Sequence, residues 1–248
     1  MAGAGKPLTL FHLKVNAMKR VLLSVLTLFL MSVVVYGQQE VTTFLGIPVD
    51  GSKSKMIRQL RKKGFKRDFY NSDILHGEFN GIESIIQIVT VKKKVRRIVV
   101  SDAYGTSDIN TIKIRFNGLC RQFQQNEKYV PVKLEHNFYL PEKENIAYEI
   151  SVNNKQYEAS YYQLPNSIDR KAYEREMEFF LNINYTKEQL SDASEVFQKE
   201  VKQTLILHAY DKYSQRLVWF TITKDDVGKY YITMFYDNEY NRANGEDL

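Results

Sequence analysis

The apolar residues of this chain fall into three kinds of spacing. Residues 21–35 (VLLSVLTLFLMSVVV) form an unbroken run. Further along, apolar residues recur at every second position, which predicts strands, or at every third and fourth, which predicts helices. Residues 43–49 (TFLGIPV) read as a short strand ending at Pro48, and Asp50-Gly51-Ser52 as a turn that offers an N-cap. Met56, Ile57 and Leu60 then share one face of a helix over 52–64, with Gly64 as its left-handed stop and Phe65 folding back onto it. Residues 75–79 and 82–91 flank Asn80-Gly81, a pair suited to a two-residue type I′ hairpin turn. A strand over 95–101 follows a lysine turn. Ile85, Ile86, Ile88, Val89, Ile98, Val99 and Val100 leave little polar on either side, so these two strands are expected at the sheet centre with both faces covered. Ser107 or Asp108 caps a second helix, whose stripe Ile109, Ile112, Phe116, Leu119, Cys120 and Phe123 predicts a core position for Cys120.

In the second half, 132–140, 146–152 and 156–162 read as strands, with Asn153-Asn154 as a tight hairpin turn. Tyr173, Met177, Phe180 and Leu181 favour a helix within 168–185. Thr186 and Gln189 have capping-box spacing and predict a long helix to about Tyr213. Residues 217–223 and 229–236 close a hairpin across 224–228, and a polar tail follows. The expected fold class is α+β, with antiparallel β-meanders packed against helices. A helix followed by strands occurs at 52–101 and again at 107–163. This order fits two helix-plus-meander lobes, a basic one over 38–140 and an acidic one over 141–248, and it fits one domain over 38–248 equally; no Gly/Ser- or Pro-rich linker marks a boundary.

The first apolar run is a different matter. Met18-Lys19-Arg20 precedes it and Tyr36-Gly37 follows, the layout of a secretory leader over 1–37 cleaved after Gly37, with Met18 as the expected start. The competing reading is an uncleaved anchor, for which the run is shorter than the roughly 20 residues a spanning helix needs. The single cysteine, Cys120, leaves no lipid-attachment cysteine at the cleavage site, no intramolecular disulfide and no thiolate metal cluster. Charge changes the picture once the leader is set aside. Lys6, Lys14, Lys19 and Arg20 lie within it, so only +2 of the formal +6 belongs to the rest. Residues 38–135 carry 18 basic against 10 acidic side chains, a net +8, and 136–248 a net −6. The basic residues cluster at 53–67 and 92–97. A basic face of this kind suits an acidic protein surface or an anionic envelope polymer, and export excludes nucleic acid; the ordinary alternative is a solvated face.

Little in the sequence points to catalysis. His76, His136 and His208 have no metal-ligand spacing, no serine lies in a GxSxG context, and there is no phosphate loop or dinucleotide fingerprint. Glu142/Glu144 and Asp225/Asp226 fall in expected turns. Asp237, Glu239 and Asn241 match the first ligand positions of a calcium loop, but Arg242 stands where that loop needs glycine. No catalytic residue, metal ligand or cofactor is therefore expected.

The chain has 17 tyrosines, 14 phenylalanines and one tryptophan. Tyr148, Tyr157, Tyr161, Tyr162, Tyr230, Tyr231 and Tyr236 fall on expected strands, where adjacent tyrosines place a ring on each face. The segments 44–65 (FLGIPVDGSKSKMIRQLRKKGF) and 230–248 (YYITMFYDNEYNRANGEDL) resemble uncharacterised exported proteins of Bacteroides-type bacteria. The resemblance implies the periplasm or cell surface of a Gram-negative bacterium and no established activity. The element order is also similar to that of PepSY and beta-lactamase-inhibitor-protein modules, which bind proteins. The leading expectation is a non-enzymatic envelope protein that binds another macromolecule. Its candidate contacts are Lys55, Arg58, Arg61, Lys62 and Lys63 on the first helix, Lys92, Lys93, Lys94 and Arg96 at the turn, and Tyr161 and Tyr231 on strands. Membrane contact is expected only through an uncleaved leader. The alternative is a polysaccharide-binding or polysaccharide-degrading protein using exposed tyrosines and dispersed carboxylates.

Overall fold

A computed structural model describes residues 40–133, 138–192 and 194–243. The leader expected over 1–37, His136 and the middle of the strand expected over 132–140 lie outside them. The described chain opens with a two-stranded hairpin, β1 (Thr43–Phe44) and β2 (Ile47–Pro48), joined by Leu45 and Gly46 at φ 52° and 76°. Helix α1 (Lys53–Lys62) follows. The Ser52 hydroxyl accepts from the Lys55 N–H at 3.3 Å, and Met56, Ile57 and Leu60 are buried. Gly64 is left-handed at φ 102° and Phe65 N–H returns to the Leu60 carbonyl at 3.3 Å, the stop expected from the sequence.

The main sheet has eight strands, all antiparallel, in the order β3 (Lys66–Arg67), β4 (Ile74–Phe79), β5 (Ile82–Val91), β6 (Lys94–Asp102), β10 (Tyr230–Asp237), β9 (Leu217–Lys224), β8 (Glu158–Gln163), β7 (Tyr129–Pro131). Strand β10, from the acidic half, lies beside β6 of the basic half. Both halves thus contribute to one sheet, and Val41 to Leu248 forms one compact unit. Asn80 and Gly81 join β4 to β5 at φ 53° and 76°, as their pairing predicts.

The two faces of this sheet differ. Leu75, Ile86, Val100, Met234, Phe220 and Ala159 stand in one row across β4, β5, β6, β10, β9 and β8, and all are buried. The row packs against α1 and against α2 (Ile109–Gln125), whose Phe116 meets Phe220 edge-on at 5.0 Å. Cys120 on α2 is fully buried. Among the described residues, helices cover the opposite face only toward β7, β8 and β9. There α4 (Arg170–Asn184) and α6 (Glu195–Tyr213) pack Met177, Ala209 and Tyr213 with Tyr162 and Val130. The expectation that β5 and β6 are covered on both faces is therefore corrected. Gln87 and Val89 are exposed, and Ile85 and Val99 half-buried, because the second helical layer sits at the far end of the sheet.

Two further corrections concern ambiguous signals. Residues 146–152 form helix α3 (Ile146–Val152), not a strand, with Asn145 accepting from the Tyr148 N–H at 3.1 Å. Ile146, Ala147 and Ile150 face the core at helical spacing, a pattern that a short alternating run also satisfies. Asn154, at φ 50°, follows the end of this helix instead of turning a hairpin. The Thr186 capping box exists, but its helix α5 (Lys187–Leu190) is short. Ser191 donates to the Glu188 carbonyl and Asp192 accepts from the Ser194 N–H, local bonds that compete with the helical ladder; Ser194 then caps α6.

Candidate functional site

The sequence-predicted cations divide sharply between exposed and structural positions. Lys55, Arg58, Arg61 and Lys62 are all exposed on α1, opposite its buried stripe, Lys63 is exposed at its C-cap, and Lys66 and Arg67 extend the surface along the edge strand β3. Lys92 and Lys93 form the β5–β6 turn at φ 48° and 65°. That turn type prefers Asn-Gly, and non-glycine residues adopt it at a cost of about 1–2 kcal/mol each. The Val95 N–H donates to the Gly51 carbonyl at 2.8 Å, which ties the base of the lysine turn to the segment that starts α1. The two predicted basic clusters therefore adjoin.

Few acids answer this charge. Lys53 pairs with Asp73 at 2.8 Å, but among the described residues Lys55, Arg58, Arg61, Lys62, Lys63, Lys93 and Lys94 have no ion-pair partner. The first turn of α1 contains Lys53 and Lys55 and no acid. The helix dipole is positive at that end, so Lys55 stands where its charge is disfavoured by about 0.3–1 kcal/mol.

Sequence reading passed over the loop beside this surface. Between β3 and β4, Asp68 accepts from the N–H groups of Tyr70 and Asn71 at 2.8 Å each and bonds His76 Nε2 at 3.0 Å. These bonds, the backbone donors foremost, hold its carboxyl below the usual range. The loop so fixed carries Phe69 and Tyr70 at 91% and 94% exposure. The Lys53–Asp73 pair ties it to the first turn of α1. A charged loop flanked by Asp and Asn gave no periodic signal, so only the fold reveals that two large rings project beside the cations.

The remaining predicted residues lie elsewhere, which corrects three expectations. Arg96 is half-buried and bonded to Glu239 at 3.0 Å, where it fastens the C-terminal turn. Tyr161 is fully buried on the core face, stacked on Phe123 at 4.7 Å. Tyr231 is half-buried on the other face, with its ring against Gly105. Period-2 geometry separates these two tyrosines, and no exposed tyrosine row forms from them.

Other candidates are engaged in structure. Asp237 accepts two bonds from Arg97 and one from Trp219 Nε1 at 2.9 Å, and Asn241 donates to Asp50 and to the Val95 carbonyl. The tail that resembles a calcium loop thus serves as a clasp. His208 stacks on Phe180 at 3.8 Å and bonds Glu176. Burial pushes the Cys120 thiol up to about 12, so it is protonated at neutral pH. Among the described residues no group of three His, Cys, Asp or Glu side chains is placed to hold a metal ion, and no helix is long and apolar enough to cross a membrane. Comparisons of the chain with protein-family models, with curated proteins and with solved structures give no match.

Proposed function

We propose that this protein is an exported, non-enzymatic envelope protein that binds an anionic macromolecular partner through α1 and the lysine turn. The observation that carries the reading is the set of five exposed cations, four on one ten-residue helix and Lys63 at its C-cap, without an acidic partner among the described residues, one of them opposed by the helix dipole. A solvated face favours interleaved signs, whereas uncompensated charge of one sign creates a field that attracts an opposite surface. Phe69 and Tyr70 supply the apolar anchors that a purely electrostatic contact lacks, since aromatic residues dominate binding energy at protein interfaces. Export rests on the basic-apolar-small pattern of residues 18–37.

The test uses the tagged chain expressed in its own cells. Export predicts an N-terminal peptide beginning at Gln38 in mass spectra of the envelope fraction; a peptide retaining residues 18–37 refutes cleavage. Binding of the purified chain to envelope fractions is then followed against salt. It is expected to fall steeply as the screening length drops from about 10 Å at 0.1 M to about 3 Å at 1 M. The triple reversal Arg58→Glu, Lys62→Glu, Lys63→Glu is expected to abolish it. Undiminished binding by that variant overturns the proposal. Loss in a Phe69→Ser, Tyr70→Ser variant with the charges intact separates anchoring from steering.

A further inference from the structure

The open face of the sheet holds a cleft of about 510 Å³ that the basic surface does not use. Strand register builds its floor: Ser160 of β8 lies beside Trp219 of β9, which lies beside Phe235 of β10. One face of the Trp219 ring stacks on Phe235 at 3.9 Å, nearly parallel. On the side away from Phe235 the register neighbour of Trp219 is Ser160, a side chain too small to cover an indole. The end of α6 and the following turn supply the opposite wall, with Tyr210 at 56% exposure. The indole is held rigidly, because its Nε1–H donates to the buried Asp237 carboxylate and the Arg97 guanidinium lies 5.5 Å from its ring centre.

The lining also carries polar groups that the fold leaves unused. The Tyr162 hydroxyl, which has no hydrogen-bond partner among the described residues, is sealed beneath the cleft and out of reach of a ligand. Neither the Ser160 hydroxyl nor the Glu158 carboxylate is bonded to another described residue, and both line the cleft. Charge is balanced there: Arg96, Arg97 and Arg242 stand against Glu158, Asp237 and Glu239, with Arg97 paired to Asp237 and both Arg96 and Arg242 paired to Glu239. A site without net charge does not select an anion, and one with unspent donors and acceptors does not select a hydrocarbon. A flat aromatic face bordered by hydroxyl and carboxylate groups matches a ring with an apolar face and a polar rim.

We infer that this cleft binds a short neutral saccharide, with one sugar ring laid on the face of Trp219 away from Phe235 and its hydroxyls bonded by Glu158 and Ser160. The site is independent of the cationic surface. Trp219 is the single tryptophan of the chain, so its fluorescence reports the cleft alone. The purified full chain is titrated separately with maltose, cellobiose and N,N′-diacetylchitobiose, at low salt and at about 1 M sodium chloride, where screening is complete beyond about 3 Å. The expected result is a saturable emission change with at least one of the three, the same at both salt concentrations. Glu158→Gln and Tyr210→Ala, both at exposed positions, are expected to weaken it about tenfold, or about 1.4 kcal/mol. Ser160→Leu, which fills the space over the indole, is expected to abolish it while circular dichroism stays native. The inference is overturned by the absence of a saturable change with all three sugars, by a response that survives Ser160→Leu, or by a response displaced by inorganic phosphate.

Discussion

Two surfaces lie back to back on the same strands, one residue out of step. On the first, Phe220, Met234 and Val100 are sealed under α1 and α2. On the second, the chain neighbours Ser101 and Thr233 join Thr223 in a hydroxyl ladder, with Ser101 to Thr233 at 3.2 Å and Thr223 to Thr233 at 3.1 Å, while the Thr221 hydroxyl donates to the Ile222 carbonyl. The strands supply alternation to both faces; which one becomes core depends on where the helices land. The covered face has converted its side chains into stacked rings and buried aliphatics. The open face keeps polar side chains, satisfies them across strands near the middle, and leaves Ser160 and Glu158 unbonded in the cleft by Trp219.

The sharpest way to break this comparison is to truncate one residue on each side. Phe220→Ala removes a fully buried ring in contact with Phe116, Phe123 and Tyr161, and is expected to cost about 3–5 kcal/mol in denaturant unfolding. Thr221→Val, the next residue, is expected to change stability by no more than about 0.5 kcal/mol. Equal costs would mean that the second face is packed as tightly as the first.

Asp237 is where the open face becomes structural. Asp237→Ala leaves Arg97 and the Trp219 N–H without their acceptor and is expected to cost about 2–3 kcal/mol, with Asp237→Asn milder because it keeps one oxygen. Chemical denaturation of both variants ranks them, and a milder Ala variant would contradict the clasp.

Alkaline pH probes the covered face next. Burial raises the Cys120 thiol from 9.0 to about 12, so the folded state favours the neutral thiol. Its stabilisation is fully present below about pH 9 and is lost as pH rises toward 12, when the unfolded chain ionises first. Tyr162 and Tyr173, which pack under the helices of the opposite face and are raised by burial from 10.0 to about 12, add to the decline at higher pH. From pH 7 to 10 Cys120 alone accounts for about 1 kcal/mol, and Cys120→Ala is expected to flatten the stability–pH curve by that amount.

The smallest expected effect has the opposite sign. Lys55→Glu places an acid in the first turn of α1, where the dipole favours it, and is expected to stabilise the fold by about 0.5 kcal/mol in thermal unfolding while weakening envelope binding. A destabilised Lys55→Glu would show that the cation serves the fold, which is the competing account of the basic surface.

Local chemistry was legible wherever one residue type answers one backbone need. Gly64 and the Asn80-Gly81 pair fall at left-handed positions, and the stripes of α1 and α2 face the core as their spacing predicts. Reading failed where two periods fit the same letters, as at Ile146–Val152, and where serine and aspartate side chains interrupted the helix expected from Thr186 to Tyr213.

By itself, then, the sequence determined the α+β class, the capped basic helix, the type I′ hairpin turn and the burial of Cys120, because each depends on neighbours a few positions away. Only the tertiary structure decided that β10 lies beside β6, that Arg97 meets Asp237 from 140 residues away, and that Trp219 stacks on Phe235 over a small Ser160. It also decided that Tyr161 is core and that Phe69 and Tyr70 project beside the cations. Those outcomes depend on strand order and on where helices dock, and alternation along one strand is the same whichever face is covered.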